Sequence, residues 1–196
     1  PERQARIGEL AMRSFGIGPG GVCAMTGPMY HSAPGAYASL AMVLGNDIHL
    51  LPRFEPEELL QAIDEHKISH MHVVPTMFVR MLRLPDAIKA KYDLSSLAHV
   101  IHGAAPCPPD AKKQMIEWWG DVIFEYYGST EAGIVSTASS ADAIAKPGTV
   151  GRPLDGTLVR IYDDDGKVLG TGESGEIYMT MNDLSDFTYH NKDDKR

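Results

Sequence analysis

Two aromatics, a glycine, two hydroxyls and a carboxylate stand together at Tyr126-Tyr127-Gly128-Ser129-Thr130-Glu131, directly after the apolar lead-in Val122-Ile123-Phe124. These residue types can hold a phosphorylated ligand. Flat aromatic faces can stack on a base, Gly128 permits close backbone approach, the hydroxyls can donate to anionic oxygens, and Glu131 can hold a hard cation such as magnesium. Phe124 to Gly133 taken alone leave a second reading open, a buried strand that ends in ordinary turn residues.

The surrounding elements decide how such a stretch is presented. Apolar spacing predicts a helix over Arg3–Phe15, stopped by the Gly16 to Gly21 run, then a strand over Val22–Thr26 that empties into Gly27-Pro28-Met29-Tyr30-His31-Ser32. Ala33–Leu44 is apolar nearly all round and reads as a helix buried against a sheet. Asp47–Leu51 is the next strand. A helix starts at Pro56, with Glu57 and Glu58 in the first turn where the helix dipole favours anions, and runs to about residue Lys67. Ser69–Val74 reads as a strand, Pro75-Thr76 as a turn and Met77–Leu84 as a helix. The strand Ala98–His102 breaks at Gly103-Ala104-Ala105-Pro106, the helix Pro109–Trp119 follows, and the strand Asp121–Tyr126 leads into the opening stretch.

Repeated strand, helix, strand units require parallel pairing, because parallel neighbours need a crossover. The expected fold is therefore α/β, an open and mostly parallel sheet with flanking helices. Ligands of such sheets gather beyond the carboxyl ends of the strands. The turns Pro28–Ser32, His102–Pro106 and Tyr126–Glu131 should accordingly share one rim. Beyond Glu131 the style changes. Ser136–Pro147 is small and polar and reads as a mobile loop, and Val150-Gly151-Arg152-Pro153 reads as a linker turn. Thr157–Tyr162, Lys167–Leu169 and Glu176–Thr180 read as short antiparallel strands joined by Asp-Gly type turns. The expected organisation is an α/β subdomain over 1–155 and an incomplete β-rich subdomain over 156–196.

Composition narrows the function. With 43% hydrophobic and 22% charged residues in 196, the chain can bury a core. A formal charge of −8 excludes a nucleic-acid surface, which needs clustered Lys and Arg. No apolar run reaches the length of a membrane span and the start has no signal-peptide pattern, so a cytoplasmic protein is expected. Cys23 and Cys107 have no CxxC spacing and read as two thiols in a reducing compartment. His70 and His72 share one strand face, but no third ligand lies near them, so they read as packing or polar lining. Asp163-Asp164-Asp165-Gly166 lacks the glutamate spacing of a calcium loop. No GxSxG, GxGxxG or GxxxxGK[ST] is present.

Tyr-Gly-Ser-Thr-Glu at 127–131, His-Gly-Ala-Ala-Pro at 102–106 and Pro-Met-Tyr-His at 28–31, in this order and spacing, resemble the adenylate-forming superfamily. Its members include acyl-CoA synthetases, aryl-CoA ligases, luciferases and the adenylation domains of peptide synthetases. Gly151-Arg152-Pro153-Leu154 and Gly175-Glu176-Ile177-Tyr178 match two further blocks, so the resemblance covers essentially the whole chain. His-Gly-Ala-Ala-Pro-Cys-Pro and Tyr-His-Ser-Ala-Pro look most like the fatty acyl-CoA synthetases.

The resemblance implies a site. Tyr127, with Tyr126 beside it, stacks on adenine while the Gly103-Ala104-Ala105 backbone covers its other face. Glu125 receives the adenine amino group. Gly128, Ser129 and Thr130 surround the nucleotide, with Thr130 on the α-phosphate and Glu131 on magnesium. Tyr30, His31 and His102 flank the acyl pocket, His31 near the chemistry, and Gly128, Ile134 and Val135 line it, with Ala33, Ala36, Met77 and Phe78 as neighbours. For Ile134 and Val135, plain core is the second reading. The implied reaction is adenylation of a carboxylic acid by ATP, followed by capture by coenzyme A, with Thr130, Glu131 and His31 as its catalytic residues. Other adenylate-forming chemistries, and a non-catalytic adenine or acyl binding module, remain alternatives. The family's phosphate loop with its Lys, the ribose-binding Asp expected after Tyr189-His190-Asn191 and the distal catalytic Lys are not in these 196 residues. The chain thus looks like the middle of a synthetase, inactive alone.

Overall fold

In a computed structural model, residues 8, 9, 12, 14–181, 189 and 190 are described. Gly8, Glu9, Met12, Ser14 and Phe15 have helical backbone, as the first predicted helix requires. The remainder of that helix and the polar run after Met181, Tyr189 and His190 excepted, lie outside the described residues.

Among the described residues, nine strands and six helices follow. They are β1 (Val22–Met25), α1 (Ser32–Val43), β2 (Asp47–Leu50), α2 (Pro56–His66), β3 (His70–Val73), α3 (Pro75–Leu82), the short α4 (Asp86–Lys89), β4 (His99–His102) and α5 (Pro109–Trp119). After them come β5 (Ile123–Ser129), β6 (Gly133–Ala138), α6 (Ser140–Ala145), β7 (Arg152–Pro153), β8 (Thr157–Tyr162) and β9 (Glu176–Met181). Seven strands form one sheet in the order β2-β1-β3-β4-β5-β6-β7. The first five pair in parallel, and β6 and β7 join antiparallel. β8 and β9 make a separate antiparallel pair.

Strand alternation divides the core between the two sheet faces. Met71, Val73, Val100 and Ile123 pack with Leu59, Ile63, Phe78, Met115 and Trp119 from α2, α3 and α5. Cys23, Met25, Ile101 and Tyr126 pack on the other face with Phe15, Ile17, Tyr37 and Ala41, beneath α1. The site lies on the rim where these two faces meet the carboxyl ends of the strands.

Three local expectations are revised. Pro75 and Thr76 do not form a turn but open α3, with Pro75 in the first helical turn where its missing N–H costs nothing. Ser136–Pro147 is not a loop. Its first residues complete β6, and Ser139 caps α6 by accepting from the Asp142 N–H while the Asp142 carboxylate accepts from the Ser139 N–H. Ser140 then binds the backbone of Ile123 twice, donating to its carbonyl at 2.8 Å and accepting from its N–H at 3.2 Å. Small polar residues here are caps and edge partners. Arg152-Pro153, read as part of a linker turn, pairs with Ser136 and Thr137 as β7. Among Lys167–Leu169, only Val168 bridges to Tyr162. No helix among the described residues is long and apolar enough to cross a membrane.

Candidate functional site

The opening stretch is a hairpin. β5 continues past Tyr126 to Ser129, Thr130 to Ala132 turn the chain, and β6 returns from Gly133. The register shifts between Tyr127 and Gly128. A Cβ at Gly128 would sit 2.0 Å from the Gly133 carbonyl oxygen, so the two strands close to this distance only over a glycine. Ser129 Oγ accepts from the Ala132 N–H at 3.0 Å and holds the turn.

The other two rim turns reach this hairpin. Ser32 Oγ lies 3.0 Å from Thr130 Oγ1, which ties the start of α1 to the hairpin tip. Gly103 lies against the Tyr126 ring, where an added Cβ would come within 2.5 Å of Cε1. Ala104 follows with φ +66°, a left-handed conformation rare for a residue with a side chain. Strained backbone of this kind gathers at ligand sites. The expectation that three turns share one rim therefore holds in the geometry.

A cavity of about 410 Å³ opens between α1 and the hairpin. Phe15, Ala36, Leu40, Tyr126, Gly128 and Ile134 are among its walls, with Ser32 and Thr130 at one end. Burial pushes the Tyr126 hydroxyl up to about 12 and the His72 imidazole down to about 4. Tyr126 Oη and His72 Nε2, 3.1 Å apart, satisfy each other. His70 is matched by Ser69 Oγ at 2.7 Å, so both histidines are polar packing. Among the described residues no group of three His, Cys, Asp or Glu could hold a metal.

Of the residues singled out above, Ala33, Ala36, Ala104, Tyr126, Gly128, Ser129, Thr130 and Ile134 line this cavity. Val135, next to Ile134, is 1% exposed and belongs to the core. Tyr30 is 84% exposed, its ring 4.5 Å from that of His31, and neither residue lines the cavity. Ala105 is exposed on the rim. Met77 and Phe78 lie on the opposite sheet face. So does His102: fully buried, it meets the Phe78 ring edge-on at 5.1 Å, and neither ring nitrogen has a partner. Burial, then the Lys112 and His72 charges, push its imidazole down to about 3. The resemblance implied a place at the acyl pocket, but strand alternation turns the side chain the other way.

Glu125 shares that opposite face with Tyr127. It is buried in an ion pair with Lys112 of α5, also buried. Sequence reasoning missed Lys112. The signal was present: Lys112 sits on the stripe formed by Met115, Ile116 and Trp119, and a charge on an apolar stripe needs a partner. It also missed Phe15 and Leu40, the latter continuing the Ala33–Ala36 face by one helical turn.

Glu131 is exposed at the hairpin tip and accepts from Tyr189 Oη at 3.0 Å. Its own backbone N–H, then Tyr189 and Ser129, hold the carboxyl below its ordinary value. A lone ionised carboxylate fits magnesium, which takes one or two carboxylates and completes its shell with phosphate oxygens and water.

The cavity thus ends at the Ser32 and Thr130 hydroxyls, beside the strained Ala104 turn and the exposed Glu131 carboxylate that Tyr189 hydrogen-bonds. Residues 5–185 match the family model described as AMP-binding enzyme. The chain is 32% identical over 172 residues to the 4-coumarate–CoA ligase-like 3 of Arabidopsis thaliana, covering 86% of this chain and 31% of that protein. It is 34% identical over 145 residues to a long-chain-fatty-acid–CoA ligase of Bacillus subtilis (strain 168), covering 74% and 26%. The amide bond synthetase McbA from Marinactinospora thermotolerans superposes with a TM-score of 0.80 at 28% identity, over 91% of this chain and 36% of that one. The chain belongs to the AMP-binding, adenylate-forming enzyme superfamily. It spans about a third or less of the length of the curated relatives it matches.

Proposed function

We propose that this chain is the central segment of an ATP-dependent, AMP-forming acid:CoA ligase acting on an apolar, fatty or related acyl acid. One observation carries the reading: an apolar cavity that ends at Ser32 and Thr130, beside the Gly103–Ala105 turn. The cavity would hold the acyl group with its carboxylate towards the hydroxyls. The carboxylate attacks the α-phosphorus of ATP, a P–O bond to pyrophosphate breaks, and the acyl adenylate remains. The thiol of coenzyme A then attacks the acyl carbon and AMP leaves. Such transfers rest on positioning and charge neutralisation, with no protein nucleophile.

In this reading Tyr127 stacks on adenine, the Gly103-Ala104-Ala105 backbone covers the other face, and Glu125 accepts from the adenine amino group through the oxygen that Lys112 does not take. Thr130 donates to the α-phosphate. Glu131 holds magnesium, which offsets phosphate charge. Tyr30 and His31 stand at the acyl entrance. A division near 155/156, where β8 begins its own sheet, belongs to the same proposal. The two free thiols suit a reducing, cytoplasmic compartment.

The test is ATP–pyrophosphate exchange over a panel of acids, run on the longer protein that carries this segment and on the 196 residues alone. Exchange by the longer protein with apolar acids is expected. No exchange with any acid overturns the ligase reading, and exchange by the 196 residues alone overturns the need for flanking segments.

A further inference from the structure

The cavity against α1 has a depth that its two walls give independently. Ser32, Ala33, Ala36 and Leu40 line it along α1, and the eight helical steps from Ser32 to Leu40 advance about 12 Å. Tyr126, Gly128 and Thr130 line it along β5 and its turn, and the strand from Tyr126 to Ser129 advances about 10 Å before the turn begins. At one end the walls join through Ser32 Oγ and Thr130 Oγ1, 3.0 Å apart. At the other end stand Leu40 and the buried Phe15, whose ring lies edge-on to Tyr126 at 6.2 Å. Between the ends, Ala33 and Ala36 put only methyl groups into the space, and Gly128 puts none.

Resting on the reading of this cavity as the acyl site, we propose that α1 is a chain-length gauge and that the preferred substrates are straight-chain acids of about eight to ten carbons. The carboxylate lies at the Ser32–Thr130 end, the tail runs down the Ala33–Ala36 face, and Leu40 with Phe15 forms the stop. Carbon–carbon bonds of about 1.5 Å advance an extended chain by about 1.3 Å per carbon, so a 12 Å wall matches about nine carbons. The volume of about 410 Å³ falls among ordinary small-molecule pockets. Residues on one helix face then set what length fits: Ala36 stands about 6 Å below Ser32, and Leu40 about 6 Å below Ala36.

The experiment measures kcat/KM by pyrophosphate release for unbranched acids from four to sixteen carbons, in the longer protein that carries this segment. The wild type should gain about fourfold per added methylene until the wall is full, near eight to ten carbons, and then gain nothing or fall. Ala36→Leu should move the optimum down to about four to six carbons, and Ala36→Val part of the way. Leu40→Ala should move it up by two or more carbons, which gives an opposite shift that general damage to the fold does not produce. A wild-type optimum at fourteen to sixteen carbons, or an optimum that stays in place in all three variants, overturns the gauge while leaving the ligase reading intact. Absence of pyrophosphate release with every acid overturns the ligase reading and the gauge with it.

Discussion

Lys112 on α5 and Glu125 on β5 form an ion pair with side chains only 5% and 7% exposed. Withdrawing two charges from water is costly, and removing one partner strands the other in the core. Lys112→Met should therefore cost about 3–5 kcal/mol in urea unfolding, whereas Lys112→Met combined with Glu125→Leu should recover most of that loss. A single substitution that costs under about 1 kcal/mol would show that the pair is open to water.

Gly128 and Gly133 bring the hairpin strands closer than any side chain allows. Gly128→Ala has no rotamer to choose and must move the backbone. We expect a loss of about 1–3 kcal/mol, the usual range for forcing a methyl group into packed structure. The hairpin carries Thr130 and Glu131, so adenylation by the longer protein should fall more steeply than stability. Equal wild-type exchange rates would show that the tip is not part of the site.

Buried histidines predict an acid sensitivity that begins above the carboxylate range. Burial holds the His72 imidazole at about 4, below its ordinary 6.5. Between these values the unfolded chain binds the proton that the folded one excludes, so stability is fully present above about pH 6.5 and declines as pH falls towards 4. His99, at about 4, and His102, at about 3, act in the same direction. His72 alone accounts for up to about 3 kcal/mol across this window. Melting temperature should drop from pH 6.5 to pH 4.5, and His72→Gln should flatten part of that slope. A melting temperature constant across the window would count against buried neutral imidazoles.

Tyr189 donates to Glu131 at 3.0 Å. In the longer protein, Glu131→Gln should lower magnesium-dependent adenylation by about a hundredfold or more, since a neutral amide cannot offset phosphate charge. Tyr189→Phe, which releases one carboxylate oxygen, should change the apparent magnesium affinity by only a few fold. An unchanged rate in Glu131→Gln would remove the metal role assigned to it.

The rim was legible in sequence because its three turns are marked by glycine and proline: Gly27-Pro28 and Gly103 with Pro106 end their strands, and Gly128 marks the register shift just before the β5 turn. These act locally. What was not legible depends on partners distant in the chain. Ser139 and Ser140 looked like loop residues, since the Ile123 backbone that Ser140 binds lies 17 residues earlier. The resemblance put His102 at the acyl pocket, but the pleat of β4 decides which face a side chain takes, and that is known only once the sheet has a top and a bottom. Lys112 drew no notice in the sequence, because its partner Glu125 stands 13 residues later on a different element.

β7 ends the seven-stranded sheet with two residues, Arg152 and Pro153. An unpaired edge is a template on which another chain can add itself. Here the template is too short to hold a register, and Pro153 has no N–H to offer a newcomer. Ahead of it, Gly151 passes so close to the Thr137 carbonyl that only a glycine fits. The same residues that first read as a linker thus seal one side of the sheet, and leave crowded molecules of this protein no strand to continue there.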